Sequence, residues 1–155
     1  MIDIIHVYSD EHLKIIRELF LEYNNWLGID LKFQNFHEEY ANLPGDYSEP
    51  DGTLILILHD DLPAACAALR KFSDGICELK RMYVRQKFRG KGIGNKILIT
   101  LIDDARSKGY NKIRLDTLPF MKEAISLYRS FGFLEIEPYR YNPVEGALYF
   151  ELELK

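Results

Sequence analysis

Hydrophobic residues recur along the chain with two different spacings, and each spacing predicts a different kind of element. Apolar side chains three and four residues apart line one face of a helix, whereas short runs rich in β-branched residues favour strands. The helical spacing predicts helices over 10–27, 92–108 and 119–130, and a weaker one over 32–43. Strand-type runs cover 2–8, 54–59, 64–71, 76–84, 112–116, 133–137 and 147–154.

Capping and turn residues separate these segments and fix their order. Ser9 can cap the first helix, and Gly28 and Gly109 can end the first and third helices in the left-handed conformation. Pro119 suits the first turn of the last helix. The three strand segments between 54 and 84 predict an antiparallel meander. The order β-α-α-β-β-β-α-β-α-β-β predicts a mixed α/β sheet in a single domain over 1–155.

Composition and charge narrow the class of protein. The chain is 47% hydrophobic with a net charge of −4, which disfavours a nucleic-acid partner because phosphate binding needs a concentrated basic face. No apolar run approaches the roughly 18–20 residues of a membrane span, and the N-terminus lacks a signal peptide's basic and apolar regions. We expect a cytoplasmic protein with no membrane partner. Cys66 and Cys77 lack metal-ligand spacing, which predicts free buried thiols and no metal site.

The segment 78–95 carries the strongest chemical signal. A strand ends at Val84, a loop with three glycines and several cations follows, and a helix begins at once. The first N–H groups of a helix lack intrahelical partners and carry partial positive charge, so such a loop favours anion binding. It lacks the GxxxxGK followed by Ser or Thr of a P-loop and the GxGxxG of a dinucleotide site.

Two motifs in this region resemble the GNAT acetyltransferase superfamily. Arg89-x-x-Gly92-x-Gly94 resembles its pyrophosphate loop, and Ala124-x-x-Leu127-Tyr128-x-x-x-Gly132-Phe133 resembles its second signature. The chain is also similar to a group of bacterial GNAT proteins of poorly defined substrate. The resemblance implies an α/β (α+β) fold whose mostly antiparallel central sheet splays between the fourth and fifth strands, with about four flanking helices.

The same resemblance implies acetyl-CoA as the co-substrate. Its pantetheine arm is expected along the backbone of Met82, Tyr83 and Val84. Its pyrophosphate is expected against a set of loop and helix residues, namely Arg89, Gly90, Lys91, Gly92, Ile93, Gly94 and Asn95. Many members carry Asn seven residues before the signature tyrosine. Met121 stands there in this chain, which removes one polar contact to CoA.

The resemblance also suggests catalytic roles for Glu78 and Tyr128. The acceptor amine must lose a proton before it attacks, and Glu78 stands where some members carry a catalytic Glu. Strand alternation is expected to place its side chain with those of Lys80, Met82 and Val84. Two alternatives stay open, a structural Glu paired with an Arg or Lys and a water chain as the base. Tyr128 resembles the tyrosine that donates to the CoA sulfur; the alternative is a core aromatic.

The acceptor is expected between the first two helices and the loop that joins the last two strands. This placement indicates Trp26, Asp30, Phe33, Gln34, Tyr139, Arg140, Tyr141 and Asn142. Arg140 could clamp a carboxylate, because its planar guanidinium pairs with one in two hydrogen bonds. The alternative for this stretch is a solvated surface loop. A small or amino-acid-like amine is preferred over a protein tail.

The sequence thus favours an acetyl-CoA-dependent N-acetyltransferase that acts on the primary amine of a small molecule. Three other functions stay open: a non-catalytic acetyl-CoA-binding sensor, a protein-interaction module on the same scaffold, and a protein or peptide N-acetyltransferase. The intact loop with Glu78 and Tyr128 favours the enzyme. A homodimer is expected by family analogy.

Overall fold

The computed structural model describes residues 1–28 and 35–154. Its helices and strands follow the chain as β1 (Ile2–His6), α1 (Asp10–Leu27), α2 (Phe36–Ala41), β2 (Thr53–His59), β3 (Leu62–Ser73), β4 (Ile76–Val84), α3 (Ile93–Ser107), β5 (Lys112–Thr117), α4 (Lys122–Ser130), β6 (Leu134–Ile136) and β7 (Leu148–Glu153). In the described part of the chain, every helix is too short or too polar to cross a lipid bilayer.

The seven strands form one sheet in the order β1-β2-β3-β4-β5-β7-β6. All neighbouring strands are antiparallel except β4 and β5, which are parallel. Side chains of α1 and α2 pack on one face of the sheet, and those of α3 and α4 pack on the other. Strand β2 alternates between the two, since Ile55 and Ile57 join the α3 side while Leu54 and Leu56 join the α1 side. The mixed, mostly antiparallel fold is therefore confirmed.

Strands β4 and β5 pair over only three residues each. Ile76–Glu78 lies opposite Lys112–Arg114, and the ladder stops there although both strands continue. Beyond Glu78 and Arg114 the two strands diverge. We call the resulting V-shaped opening the wedge. Its backbone groups on β4 have no β5 partner, and a molecule that enters it can reach both strands.

A β-bulge at Arg81 changes which way the side chains of β4 point. Lys80 pairs with Ala68 and Tyr83 pairs with Cys66, so β4 advances three residues while β3 advances two, and β4 contains one extra residue. Arg81, within this stretch, has a φ of 56°. The extra residue reverses the alternation. Consequently Met82 packs towards α3 and α4, whereas Lys80 shares the α1 side with its cross-strand partner Ala68. The expectation that Glu78 and Lys80 share a face with Met82 and Val84 is wrong.

The predicted boundaries of the first and third helices agree with the structure, whereas those of the second and fourth differ. Ser9 Oγ accepts a hydrogen bond from the His12 N–H at 3.2 Å, and Gly28 ends α1 with a φ of 68°. Pro119 lies outside α4, because the Met121 N–H bonds to Leu118 O at 3.0 Å and closes a separate turn before Lys122. Helix α2 is shorter than expected at both described ends, and positions 32–34 of that prediction lie outside the described residues.

Candidate active site

A cavity of about 510 Å³ lies between the end of β4, the glycine loop and the start of α4. We call it the loop cavity. Its walls include most of the residues expected to hold CoA, namely Met82, Tyr83, Val84, Arg89, Gly90, Gly92, Ile93, Gly94 and Asn95. Lys91 is exposed and is not part of the wall. The sequence therefore located one continuous concave surface, with Lys91 at its outside.

The N-terminus of α3 opens into the loop cavity without a side-chain cap from the described residues. Gly92 is the N-cap with a φ of 79°, a conformation that glycine adopts without strain. At Gly94 an added Cβ would lie 2.8 Å from Leu127 Cδ2, so glycine also allows α4 to approach α3. The N–H groups of the first helical turn have no intrahelical partner and carry the positive end of the helix dipole. This end of α3 can therefore bind an anion.

Arg89 is fixed at the mouth of the loop cavity by three contacts. Its Nε donates to Val84 O at 2.9 Å, and its guanidinium lies 4.8 Å from the Trp26 ring centroid and 6.0 Å from that of Tyr83. The charge is thereby held beside the α3 N-terminus. Trp26 was expected at the acceptor, but it forms part of the loop-cavity wall, with 40% of its surface exposed.

A second cavity, of about 60 Å³, lies in the wedge. Met82, Met121 and Ala124 line both this wedge cavity and the loop cavity, so the two spaces share a wall. Polar residues of five segments line it: Tyr23 from α1, Lys80 from β4, Asp116 from β5, Tyr128 from α4 and Asn142 from the β6–β7 loop. The splayed strands thus place titratable groups at the inner end of an anion-binding surface.

Tyr128 is buried, and its hydroxyl is the polar group of α4 in the wedge cavity. The ring packs against Phe133 and Phe150, with centroids 5.6 and 6.3 Å away. The hydroxyl lies 3.8 Å from Met82 Sδ, a weak acceptor. Burial raises the pKa of Tyr128 above its ordinary value, so the phenol keeps its proton at neutral pH. It can therefore donate a hydrogen bond or a proton into the wedge.

Lys80 and Asp116 face each other across the wedge, and the sequence analysis assigned neither a role. Lys80 Nζ lies 4.0 Å from Asp116 Oδ1, and their side chains are 3% and 4% exposed. Asn142 Nδ2 donates to Asp116 Oδ2 at 3.2 Å. Burial, with the neighbouring Arg81, lowers the pKa of Lys80 to about 7 against the opposing effect of Glu78 and Asp116. The one available signal was three charged residues within the core strand ELKRMYV.

Glu78 is fully buried, and both of its carboxylate oxygens are occupied. Oε1 accepts hydrogen bonds from Arg70 Nε and an Arg140 terminal nitrogen, each at 3.0 Å. Oε2 accepts one from the Tyr139 hydroxyl at 2.7 Å. Burial alone would raise the pKa of Glu78, but Lys80, Arg140 and Arg70 together hold it below its usual value. This environment favours the structural alternative for Glu78 over a base, since an engaged, weakly basic carboxylate is a poor proton acceptor.

A Glu78→Gln substitution separates these two roles. We expect the variant to lose about 3 kcal/mol of unfolding free energy, because two guanidiniums lose their shared buried anion. A carboxylate with a depressed pKa stabilises the folded state above the pKa of an exposed glutamate, about 4.3, and loses that effect as pH falls through the lower folded value. The stability difference from the wild type should therefore shrink in acid, as measured by urea unfolding between pH 7 and 3.

The matched control is Glu135→Gln, which removes a half-exposed carboxylate 3.3 Å from Arg129. Its loss should stay below about 1 kcal/mol. A Glu78→Gln protein with wild-type stability and no turnover would instead identify Glu78 as the base.

The residues of the β6–β7 loop that were expected at the acceptor divide between three places. Tyr139 and Arg140 bind Glu78, Asn142 lies in the wedge, and Tyr141 is 74% exposed. Asp30, Phe33 and Gln34, which were also expected there, lie outside the described residues. Sequence reasoning missed a group of wall residues in the loop cavity, namely Phe88, Phe120, Lys122, Glu123, Ala124 and Leu127. Apart from the second signature, no motif marks them.

Comparisons with known proteins agree with this architecture. Residues 13–133 match the model of the acetyltransferase (GNAT) family. An uncharacterised N-acetyltransferase of Schizosaccharomyces pombe is 37% identical, over 99% of this chain and 95% of that protein. A GNAT-family acetyltransferase of Staphylococcus aureus superposes with a TM-score of 0.82 at 23% identity, over 100% of both chains. The PaiA N-acetyltransferase of Thermoplasma acidophilum, solved with coenzyme A, superposes with a TM-score of 0.78 at 21% identity over 99% of both chains.

Proposed function

The chain belongs to the GNAT acetyltransferase family, and from this premise we propose that it transfers an acetyl group from acetyl-CoA to the primary amine of a small molecule. One observation carries the proposal. The loop cavity, with the uncapped N-terminus of α3 in its wall, shares Met82, Met121 and Ala124 with a wedge cavity that contains Tyr128. A phosphate-binding surface therefore leads directly to a buried proton donor.

The wall of the loop cavity suits CoA in shape and charge. The N–H groups that begin α3, together with Arg89, would hold the pyrophosphate. The backbone of Met82 and Tyr83, on the part of β4 that β5 leaves unpaired, would bind the pantetheine arm. Val84 O already accepts from Arg89 Nε, so its carbonyl is less suited to that role than was expected. PaiA, which resembles this chain in fold, was solved with coenzyme A.

The wedge supplies the remaining chemistry. The nitrogen lone pair of the acceptor attacks the thioester carbonyl carbon, a C–N bond forms and the C–S bond breaks. Tyr128 donates its hydroxyl proton or a hydrogen bond to the departing sulfur. We assign removal of the amine proton to water in the wedge rather than to Glu78, whose oxygens bind Arg70, Arg140 and Tyr139. Lys80 and Asp116 are the charged groups that such water would contact.

The acceptor is proposed to be a small amine because the β6–β7 loop closes over this end of the wedge. Tyr139 and Arg140 bind β4 through Glu78, and Asn142 binds β5 through Asp116. These contacts leave a cavity of about 60 Å³ beside Tyr128. A single amine-bearing chain fits such a space better than a folded protein surface.

The proposed activity is tested by measuring CoA release from acetyl-CoA with a thiol reagent, across amines, amino acids and peptides. Turnover with a small amine supports the proposal, and turnover with peptides alone favours a peptide N-acetyltransferase. Acetyl-CoA binding without turnover on any acceptor favours the sensor. Absence of acetyl-CoA binding in calorimetry contradicts the proposal as a whole.

A further inference from the structure

A third cavity, of about 480 Å³, lies on the acceptor side of the sheet between α2, the turn after it and the β6–β7 loop. Arg70 and Arg140 are the cations in its wall, 19% and 22% exposed. We call this space the arginine cavity. It lies on the same side of the sheet as the Lys80 side chain. Arg70 pairs with Glu78 and Ala68 pairs with Lys80, and residues two apart on a strand point to the same face. It shares no wall residue with the wedge cavity, but Glu39 in its wall accepts a hydrogen bond at 2.7 Å from Arg81 in the wall of the wedge cavity, so the two cavities are neighbours.

The two arginines share one carboxylate. Both guanidiniums bind Oε1 of Glu78, while Oε2 is taken by Tyr139. The three charges Arg70, Arg140 and Glu78 sum to one net positive charge at the inner wall of the cavity. Partly buried charges are normally balanced by an opposite charge nearby. A ligand with a negative charge would restore this balance.

Arg140 also has an unused hydrogen-bond donor. Its Nε is buried and has no hydrogen-bond partner among the described residues. An unsatisfied buried donor is costly, and native structures usually satisfy it with protein, water or ligand. A carboxylate in the arginine cavity would meet the exposed part of this guanidinium, and the buried Nε would have to turn towards it for a contact with two parallel N–H groups.

The acidic residues of the arginine cavity offset these cations only in part, although Glu39 acts on Arg70. Glu39 is already engaged by Arg81, with its two oxygens 2.7 and 3.0 Å from the guanidinium. Glu38 and Asp46 lie in the outer wall and are exposed, so solvent screens them. The inner wall favours an anion, and the outer wall tolerates an ammonium group.

We propose that Arg140 and Arg70 bind a carboxylate of the acceptor, so that the enzyme acetylates amines that also carry a carboxylate group. The proposal rests on the proposed acetyltransferase function. Glu78 and Lys80 are two residues apart on β4, a distance of about 7 Å. Glu78, which binds Arg70 and Arg140, is thus about that far along β4 from Lys80 in the wall of the wedge cavity. The amine and the carboxylate of the acceptor should be several bonds apart, as in an ω-amino acid or at the side chain of a basic amino acid.

A length series tests this inference. Glycine, 4-aminobutyrate, 6-aminohexanoate and lysine are compared with alkylamines of matching length in the CoA-release assay. For the wild type we expect kcat/KM for at least one acid to exceed that of its matched amine about tenfold or more, because a bidentate carboxylate contact is lost in the amine. Equal or better turnover of the alkylamines overturns the proposal.

Variants of Arg140 test whether this residue is responsible for the preference for acids. Arg140→Gln should raise KM for the preferred acid about tenfold with a smaller change in kcat, and should raise KM for the matched alkylamine much less, so that the ratio of the two kcat/KM values falls. Arg140→Lys, which keeps the charge, should restore part of the loss. Arg106→Gln, on the outer surface of α3, is the control. An unchanged acid preference in Arg140→Gln overturns the assignment to this residue. A cooperative thermal transition checks that each variant is folded, and Arg140→Gln should melt at a lower temperature than the wild type because Glu78 loses one of its two guanidinium partners.

Binding separates this inference from the proposed function. Calorimetry measures the binding of 6-aminohexanoate and of lysine to the CoA-bound protein and to the protein alone. If acetyl-CoA neither binds nor turns over, the proposed function fails, yet acid binding that Arg140→Gln abolishes still supports the arginine site. If acetyl-CoA binds but none of the acids binds or reacts, the arginine site is wrong and the proposed function stands.

Discussion

Replacement of Tyr128 by Phe should lower kcat about 100-fold or more while the affinity for acetyl-CoA stays within about twofold of the wild type. The change removes only the hydroxyl, since the ring contacts with Phe133 and Phe150 do not involve it. General acid catalysis typically contributes 10²- to 10⁴-fold, and the loss should appear in kcat. Steady-state CoA release and calorimetric binding of acetyl-CoA measure the two quantities.

Tyr110→Phe is the matched control for this variant. Tyr110 is also a buried tyrosine, but its hydroxyl donates to Asp51 O at 2.7 Å and lies in the wall of neither the loop cavity nor the wedge cavity. It should lose some stability and keep its turnover. Normal kcat in Tyr128→Phe would remove Tyr128 from the mechanism and return it to a packing role.

Gly92→Asp should weaken acetyl-CoA binding about 30-fold. Residue 92 caps α3 in the wall of the loop cavity, where the proposed pyrophosphate lies. A carboxylate some 8 Å from a phosphate charge costs about 2 kcal/mol at an effective dielectric constant near 20, which corresponds to that loss. The repulsion should decrease with added salt, and calorimetry at two salt concentrations measures both effects.

Gly92→Asn separates the effect of the added charge from the effect of the added side chain. An added Cβ at position 92 meets no atom within 4 Å, and Asn has nearly the shape of Asp and tolerates a positive φ. Its affinity for acetyl-CoA should fall only a few-fold. Equal affinities of the Asp and Asn variants would show that the pyrophosphate lies elsewhere.

The helices could be predicted from the sequence because the patterns that define them are local. The apolar stripe Ile93, Ile97, Leu101 and Ala105 is buried as predicted, since a helix places residues three and four apart on one face whatever surrounds it. Ser9 and Gly28 act within α1 and its adjoining turns. Pro119 misled because its dihedral preference suits a turn as well as a first helical turn, and the Leu118–Met121 hydrogen bond decided between them.

The position of the loop cavity could also be predicted from the sequence, because its wall is largely one continuous segment. Residues 82–84 and 89–95 are adjacent in sequence, and a strand, loop and helix in that order bring them together without distant contacts. The residues of the opposite wall could be predicted from the sequence only in part. Phe120 and Lys122 reach the cavity because the chain returns there between β5 and α4, where the Phe120 ring lies 5.8 Å from that of Trp26.

The sequence by itself determined the elements, their order and the position of the glycine loop, because periodicity, capping and glycine conformation depend on neighbours a few residues away. Only the tertiary structure decided the chemistry of the acceptor side. The bulge at Arg81 rotated Glu78 and Lys80 to the α1 side, and the return of the β6–β7 loop placed Arg140 on Glu78. Strand alternation could not anticipate either event, since a bulge depends on pairing with another strand and an ion pair over 62 residues depends on the whole sheet.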